Sequence, residues 1–350
     1  MTSPLIIVGS GLAGLGVCSY NQLYRLEKST YKGLRSEEYK MTTQTAQPNS
    51  SNFGGAEKST RFLGTRGADP DFRSLCRAPA IAWPTIILFL VSSIGCLGTA
   101  YVAFMQILPI PYWLASVIIG FFAYLQFSVG HDAAHRAVST HKWFNELLGN
   151  MAVLFLAPFA NLAIIRRVHM QHHVYANGPK DPDNWTHDGS IWTALLRWAT
   201  LDVNYAYYYL RYQQPRPLRE LMTVAVNATL VIIALSALIY FGYGEEALWL
   251  WFIPTRIGIF LVSAVFVFLP HHPHEVAQNE DPYRATTIRL GMEWLLTPLL
   301  AYQNYHLMHH LYPTAPFYNN VKLWEIKSAD PEFMAKNPAV VSAFSFKPNN

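Results

Sequence analysis

Four uninterrupted apolar runs, near residues 82–107, 112–130, 221–241 and 247–269, decide what this chain can become. Each is close to the roughly 20 residues that carry an α-helix across the hydrocarbon core of a bilayer. Backbone inside lipid has no water to bond, so each run must satisfy its own amides, and within one segment only a helix does so. Composition agrees with this reading. Hydrophobic residues make up 51% of the chain and charged residues 14%, against a usual charged share of roughly 25%. The expected fold is therefore all-α and integral to the membrane, with four transmembrane helices. Two further stretches are not read as spans: 148–165 is borderline in length, carries Pro158 and reads as an interfacial or re-entrant segment, and 292–302 is shorter still and reads as a segment on the membrane surface.

Loop charge orients the runs. The link 108–111 has no lysine or arginine, and 242–246 carries Glu245 and Glu246 but no basic residue. The stretch 131–220 holds Arg136, Lys142, Arg166, Arg167, Lys180, Arg197, Arg211, Arg216 and Arg219. Basic residues stay on the cytoplasmic side, which puts both termini and the long loop inside and the short links outside, in a multi-pass protein of the inner cell membrane.

Residues 1–78 read as a disordered leader rich in Ser, Thr, Gly and charge, ahead of a membrane domain over 79–350. Within the leader, Gly9-x-Gly11-x2-Gly14 follows an apolar run as a dinucleotide fingerprint does. No second strand follows, so the complete βαβ unit is missing and the motif reads as a decoy. Arg25, the first basic residue, comes after the apolar stretch, which argues against a signal peptide. A start at Met41 is a second reading of this region. A net charge of +4 is too modest for nucleic-acid binding. Cys18, Cys76 and Cys96 form no CxxC pair, so no cysteine metal site or disulfide framework is expected.

All 13 histidines lie between residues 131 and 310. They cluster as His131-x3-His135, His169-x2-His172-His173 and His306-x2-His309-His310, with another group at His271, His272 and His274. On a helix, positions i, i+3 and i+4 share a face, so each box points its imidazoles one way. The predicted topology brings all four groups to the cytoplasmic mouth of the bundle. The three boxes alone offer eight imidazoles, too many for one closed zinc site, which takes four ligands. They suit two metals with open positions, and iron is the natural choice where oxygen is activated. Asp132, Asp181 and Asp183 stand near the boxes. Each is read either as a group that fixes the second nitrogen of a ligating histidine or as a solvated loop carboxylate.

GHDAAHRA at 130–137, RRVHMQHH at 166–173 and QNYHLMHHLYP at 303–313 resemble the histidine boxes of the membrane fatty acid desaturase superfamily. NGPKDPDNW at 177–185, LPHHP at 269–273 and PTAPFY at 313–318 are most similar to the cyanobacterial-type β-carotene ring hydroxylases. The resemblance covers residues from about 80 to 325. It implies a cytoplasmic di-iron cap in which His131, His135, His169, His172, His173, His306, His309 and His310 ligate two iron ions, with His271 as a ninth ligand. Acyl-CoA desaturases carry an asparagine one turn before that last histidine, where this chain has Val267. His272 and His274 stay open between ligation and a loop role, and His141 and His187 read as surface residues.

The implied chemistry is O2-dependent oxidation of a lipid C–H bond, to an alcohol, an alkene or, with loss of CO2, a terminal alkene. Carotenoid ring hydroxylation leads, and fatty-acyl desaturation or decarboxylation follows. A membrane zinc hydrolase and a non-catalytic metal-binding protein are the distant readings. No electron-transfer module is visible, so an external carrier (ferredoxin, rubredoxin or cytochrome b5-like) with its reductase is expected, docking on the basic loop. Arg256, inside the fourth run, reads as a partner for a substrate carboxylate or as a paired or snorkelling side chain, with the second preferred.

Overall fold

The computed structural model describes residues 70–345. The glycine motif at 9–14, the alternative start and most of the expected leader lie outside them. Four described helices are long and apolar enough to cross a membrane: α2 Trp83–Phe104, α3 Tyr112–Ala134, α8 Leu218–Tyr240 and α9 Gly244–His271. Before them stands a short helix, α1 Pro70–Leu75. This helix falls within the expected leader, and it buries Phe72 among Ile288, Leu307, Met308 and Leu323.

Helix length explains how the histidines leave the lipid. At about 1.5 Å per residue, the 28 residues of α9 run roughly 42 Å, about 12 Å beyond a ~30 Å hydrocarbon core. The surplus turns carry His271. The second span also outruns its expected end at 130, continuing as helix through His131 to Ala134. α3 is the hub, packed against both α2 and α9. Small residues allow the second contact: a Cβ on Gly120 would sit 2.6 Å from Ile257, and one on Gly258 would meet Leu156 and the Gly120 carbonyl. By contrast, α8 buries none of its residues, and apolar side chains such as Ile94 on α2 and Ile232 on α8 are 70% and 60% exposed. Faces of this kind need lipid against them. α9 is also irregular, with wide π-helical turns at Leu248–Phe252 and Ser263–Phe268. The second contains Val267 and ends three residues before His271, so counting back four residues to Val267 does not identify a neighbour on the same face.

The run 148–165 is not one segment. α4 Lys142–Val153 and α5 Leu162–Tyr175 divide it, because Pro158 lacks an amide donor and Asn161 starts a new helix. The Asn161 side chain accepts from the Ile164 amide at 2.9 Å. Next come α6 Ile191–Trp198, whose Trp192, Leu195 and Leu196 project outward, and α7 Leu201–Tyr212. After α9 the chain forms β1 Ile288–Leu290, α10 Glu293–Leu299, α11 His306–Leu311, α12 Asn320–Ser328, α13 Pro331–Met334 and β2 Val340–Ser342. β1 and β2 pair in parallel, Ile288 opposite Val340, a small departure from the all-α expectation. α10 buries Leu296 and exposes Trp294 and Leu299.

Candidate metal centre

Four separate elements deliver nine imidazoles to one buried place. The end of α3 supplies His131 and, one turn on, His135; α5 supplies His169, His172 and His173; the end of α9 supplies His271; α11 supplies His306, His309 and His310. They divide into two sets. His131, His135, His169 and His309 bring ligand atoms within 4.8 Å of one another, and so do His172, His271, His306 and His310. His173 joins the first set, its Nε2 lying 2.9 Å from His309, 3.1 Å from His169 and 3.2 Å from His135.

The arrangement fits metal ions and little else. Ring nitrogens face ring nitrogens: His135 and His169 Nε2 are 2.8 Å apart, and His271 and His306 Nε2 3.0 Å apart. Both ring nitrogens of His131 and of His310 are buried without a hydrogen-bond partner, as is His271 Nδ1. Each such orphan costs on the order of 1–3 kcal/mol, and a cation among converging lone pairs removes the cost. Burial, reinforced by neighbouring imidazoles, holds His135, His169, His173, His306, His309 and His310 well below the ordinary histidine range. They are therefore neutral, the form that binds metal.

Carboxylates act on His172 alone among these rings. Its Nδ1 lies 3.0 Å from Asp181 Oδ1 and 3.1 Å from Asp183 Oδ2, which fixes the tautomer and leaves Nε2 for the second set. Burial pulls this ring's pKa down, but Asp183 and Asp181 overcome it and push it up to about 9. Burial, countered by His172, pushes Asp183 up to about 6. His172, Asp181 and Asp183 do not read as a third metal site, because the carboxylates already accept from the Asn177 and Asp183 amides and the Tyr205 hydroxyl. Asp132 takes neither expected role. It is buried, accepting from Thr85 Oγ1 at 3.0 Å and the Phe317 amide at 3.2 Å, and so ties α3 to α2 and the tail. Gln303 was missed in the sequence, though it stands three residues before His306. Its Oε1 lies 2.5 Å from His306 Nδ1.

Phe127, whose ring lies 6.1 Å from that of His131, lines a small apolar cavity of about 30 Å³ together with Gln126, Gly130, Leu156, Tyr205 and Ile259, among others. None of its lining residues is basic. A second, larger cavity, about 470 Å³, shares Ala157, Ile165, Asp202 and Tyr205 with the first and continues past Phe159, Val203 and Val224 to Arg256.

The sequence over residues 107–340 matches the model of the fatty acid desaturase family. The chain belongs to the fatty acid desaturase family. Within it, the chain is similar to an sn-1 oleoyl-lipid 12-desaturase of Picosynechococcus, at 30% identity over 109 residues, covering 31% of this chain and 29% of that protein. It is similar to a protein of the same name from Arthrospira platensis, at 23% over 270 residues, covering 68% and 73%. It is also similar to a beta-carotene ketolase of Paracoccus, at 27% over 195 residues, covering 55% and 70%. The first of these matches spans under a third of the relative's own length.

In this desaturase-family chain the remaining histidines stand outside both sets. His141 is exposed, as expected. His187 is not a plain surface residue: its ring stacks on His274 at 4.0 Å between centroids. His274 and His272 thus take the loop role.

Proposed function

We propose that this chain is a di-iron oxidoreductase of the membrane that uses O2, and two electrons from a separate carrier, to oxidise a C–H bond of a lipid-borne hydrocarbon. The observation that carries the reading is the convergence of nine imidazoles in two sets, eight of them buried, next to apolar cavities in the helix bundle. Bound iron supplies the oxidising power, drawn from O2, that an unactivated C–H bond requires. The protein supplies the rest. His131, His135, His169, His173 and His309 hold one ion, and His172, His271, His306 and His310 hold the other. Asp181 and Asp183 orient His172, Gln303 orients His306, and Phe127, Leu156 and Ile259 seat the chain and exclude water.

Carotenoid ring hydroxylation is the first assignment, supported by the motifs around the boxes and by the similarity to a beta-carotene ketolase. Fatty-acyl desaturation is the second, supported by the similarity to the oleoyl-lipid desaturases. Arg256, the basic residue in the lining of the larger cavity, is already paired with Asp202, which favours an uncharged substrate, such as a carotenoid or an esterified acyl chain, over a free acid. The basic loop supports a cytoplasmic metal site and a docking surface for a ferredoxin, rubredoxin or cytochrome b5-like carrier.

The test is a lipid profile of two bacterial hosts, one accumulating β-carotene and one with only its own fatty acids, each with a His172→Ala control. Hydroxylated carotenoid that depends on His172 establishes the first assignment. New unsaturated acyl chains or a terminal alkene, with carotene untouched, replace it with an acyl substrate. Unchanged lipids in both hosts, with the carrier and reductase supplied, count against the function as a whole.

A further inference from the structure

Asp183 does more than brace His172. Its Oδ2 lies 3.1 Å from His172 Nδ1, while its Oδ1 accepts a 2.6 Å hydrogen bond from the Tyr205 hydroxyl. Tyr205 comes from α7, which carries none of the nine histidines, and its buried ring forms part of the wall of both apolar cavities. Asp181, the other carboxylate on His172, is held by the backbone amides of Asn177 and Asp183. The two braces therefore differ in kind: one is locked by the local turn, the other by a side chain in the cavity wall.

We propose that Tyr205 is a positioning residue for the metal set that contains His172, acting through Asp183. The proposal rests on the di-iron reading above. A carboxylate that loses its second partner is freer to rotate, and with it goes one of the two restraints on the His172 ring. Losing an outer partner of a ligating histidine weakens metal affinity by about 10- to 100-fold. Because His172 belongs to only one of the sets, the effect should fall on one metal ion and spare the other.

The experiment loads the full chain with ferrous iron in detergent and follows iron retention against rising concentrations of a ferrous chelator. The variants are Tyr205→Phe, Asp183→Asn and the two together, with Tyr209→Phe as control. Tyr209 stands on the same helix, and its hydroxyl donates to Glu220 at 2.8 Å instead. The wild-type chain should hold two irons. Tyr205→Phe should release one of them at about 10- to 100-fold lower chelator and keep the second at the wild-type midpoint. Asp183→Asn should reproduce this, the double variant should add little, and Tyr209→Phe should match wild type. A wild-type release profile for Tyr205→Phe overturns the proposal. So does parallel loss of both irons, which marks a general structural role. A wild-type chain that never holds two irons overturns the di-iron reading instead, so the two failures are distinguishable.

Discussion

Arg256 on α9 and Asp202 on α7 form a two-pronged ion pair, with Nη1 2.9 Å from Oδ1 and Nη2 2.6 Å from Oδ2. Nη1 also donates to the Ala199 carbonyl at 3.0 Å. Arg256 is thus paired within the protein, the preferred of its two sequence readings, and is not free for a substrate carboxylate. Parallel N–H···O bonds of this kind fix geometry as well as charge, so the pair also anchors α7 to the fourth span.

Removing one partner leaves the other uncompensated. Asp202→Asn should destabilise the protein by about 1–3 kcal/mol, below the range for a fully buried pair because both side chains keep some exposure. The double variant Asp202→Asn/Arg256→Met should recover part of the loss. Thermal unfolding in detergent reads both. A single variant as stable as wild type would show that the pair anchors nothing.

The two histidine sets should be separable by metal content. His135→Ala and His172→Ala should each lower iron from two per chain toward one, and each should abolish product. His141→Ala, an exposed ring, should leave iron content unchanged. Elemental analysis of the purified chains checks this. Retention of both irons by His172→Ala would remove it from the ligand set.

Gln303 should prove a second outer brace, now on His306. Gln303→Leu removes the acceptor at nearly constant volume and should weaken iron retention by about 10-fold or more, with the loss confined to one ion. The same chelator titration decides it, and an unchanged midpoint would show the contact to be incidental.

The contact between α3 and α9 tolerates no added bulk. Gly258→Leu must push Leu156 and the Gly120 backbone aside, at a cost of about 1–3 kcal/mol. The expected result is a lower yield of folded protein and a lower unfolding midpoint. Normal yield together with a normal midpoint would mean that the spans separate without penalty.

If a carrier docks on the basic loop, reversing Arg211, Arg216 and Arg219 to Glu should slow carrier-coupled turnover several-fold at low salt, with the difference shrinking as salt screens the surface. Arg216 also donates to the Leu210 carbonyl, so the unfolding midpoint must be measured alongside. Unaltered coupled turnover would remove this surface from consideration.

What the sequence determined by itself is what depends on short range. A span must satisfy its own backbone within one stretch of about 20 residues, so the four membrane helices were legible from apolar length. Box spacing of three and four residues is a helical repeat, so the shared faces of His169, His172 and His173 were legible too. The break inside 148–165 was only half visible, since Pro158 was noted but the new helix begun by Asn161 was not. Other features arise only where distant elements meet. The division of nine histidines into two sets, the choice of Asp181 and Asp183 over Asp132, the match of Arg256 with Asp202 and the place of Tyr205 behind His172 all depend on how α3, α5, α7, α9 and α11 pack. Local periodicity says which side chains share a face. Which face meets which is decided by packing between elements, where small residues such as Gly120 and Gly258 and the wide turns of α9 set the approach.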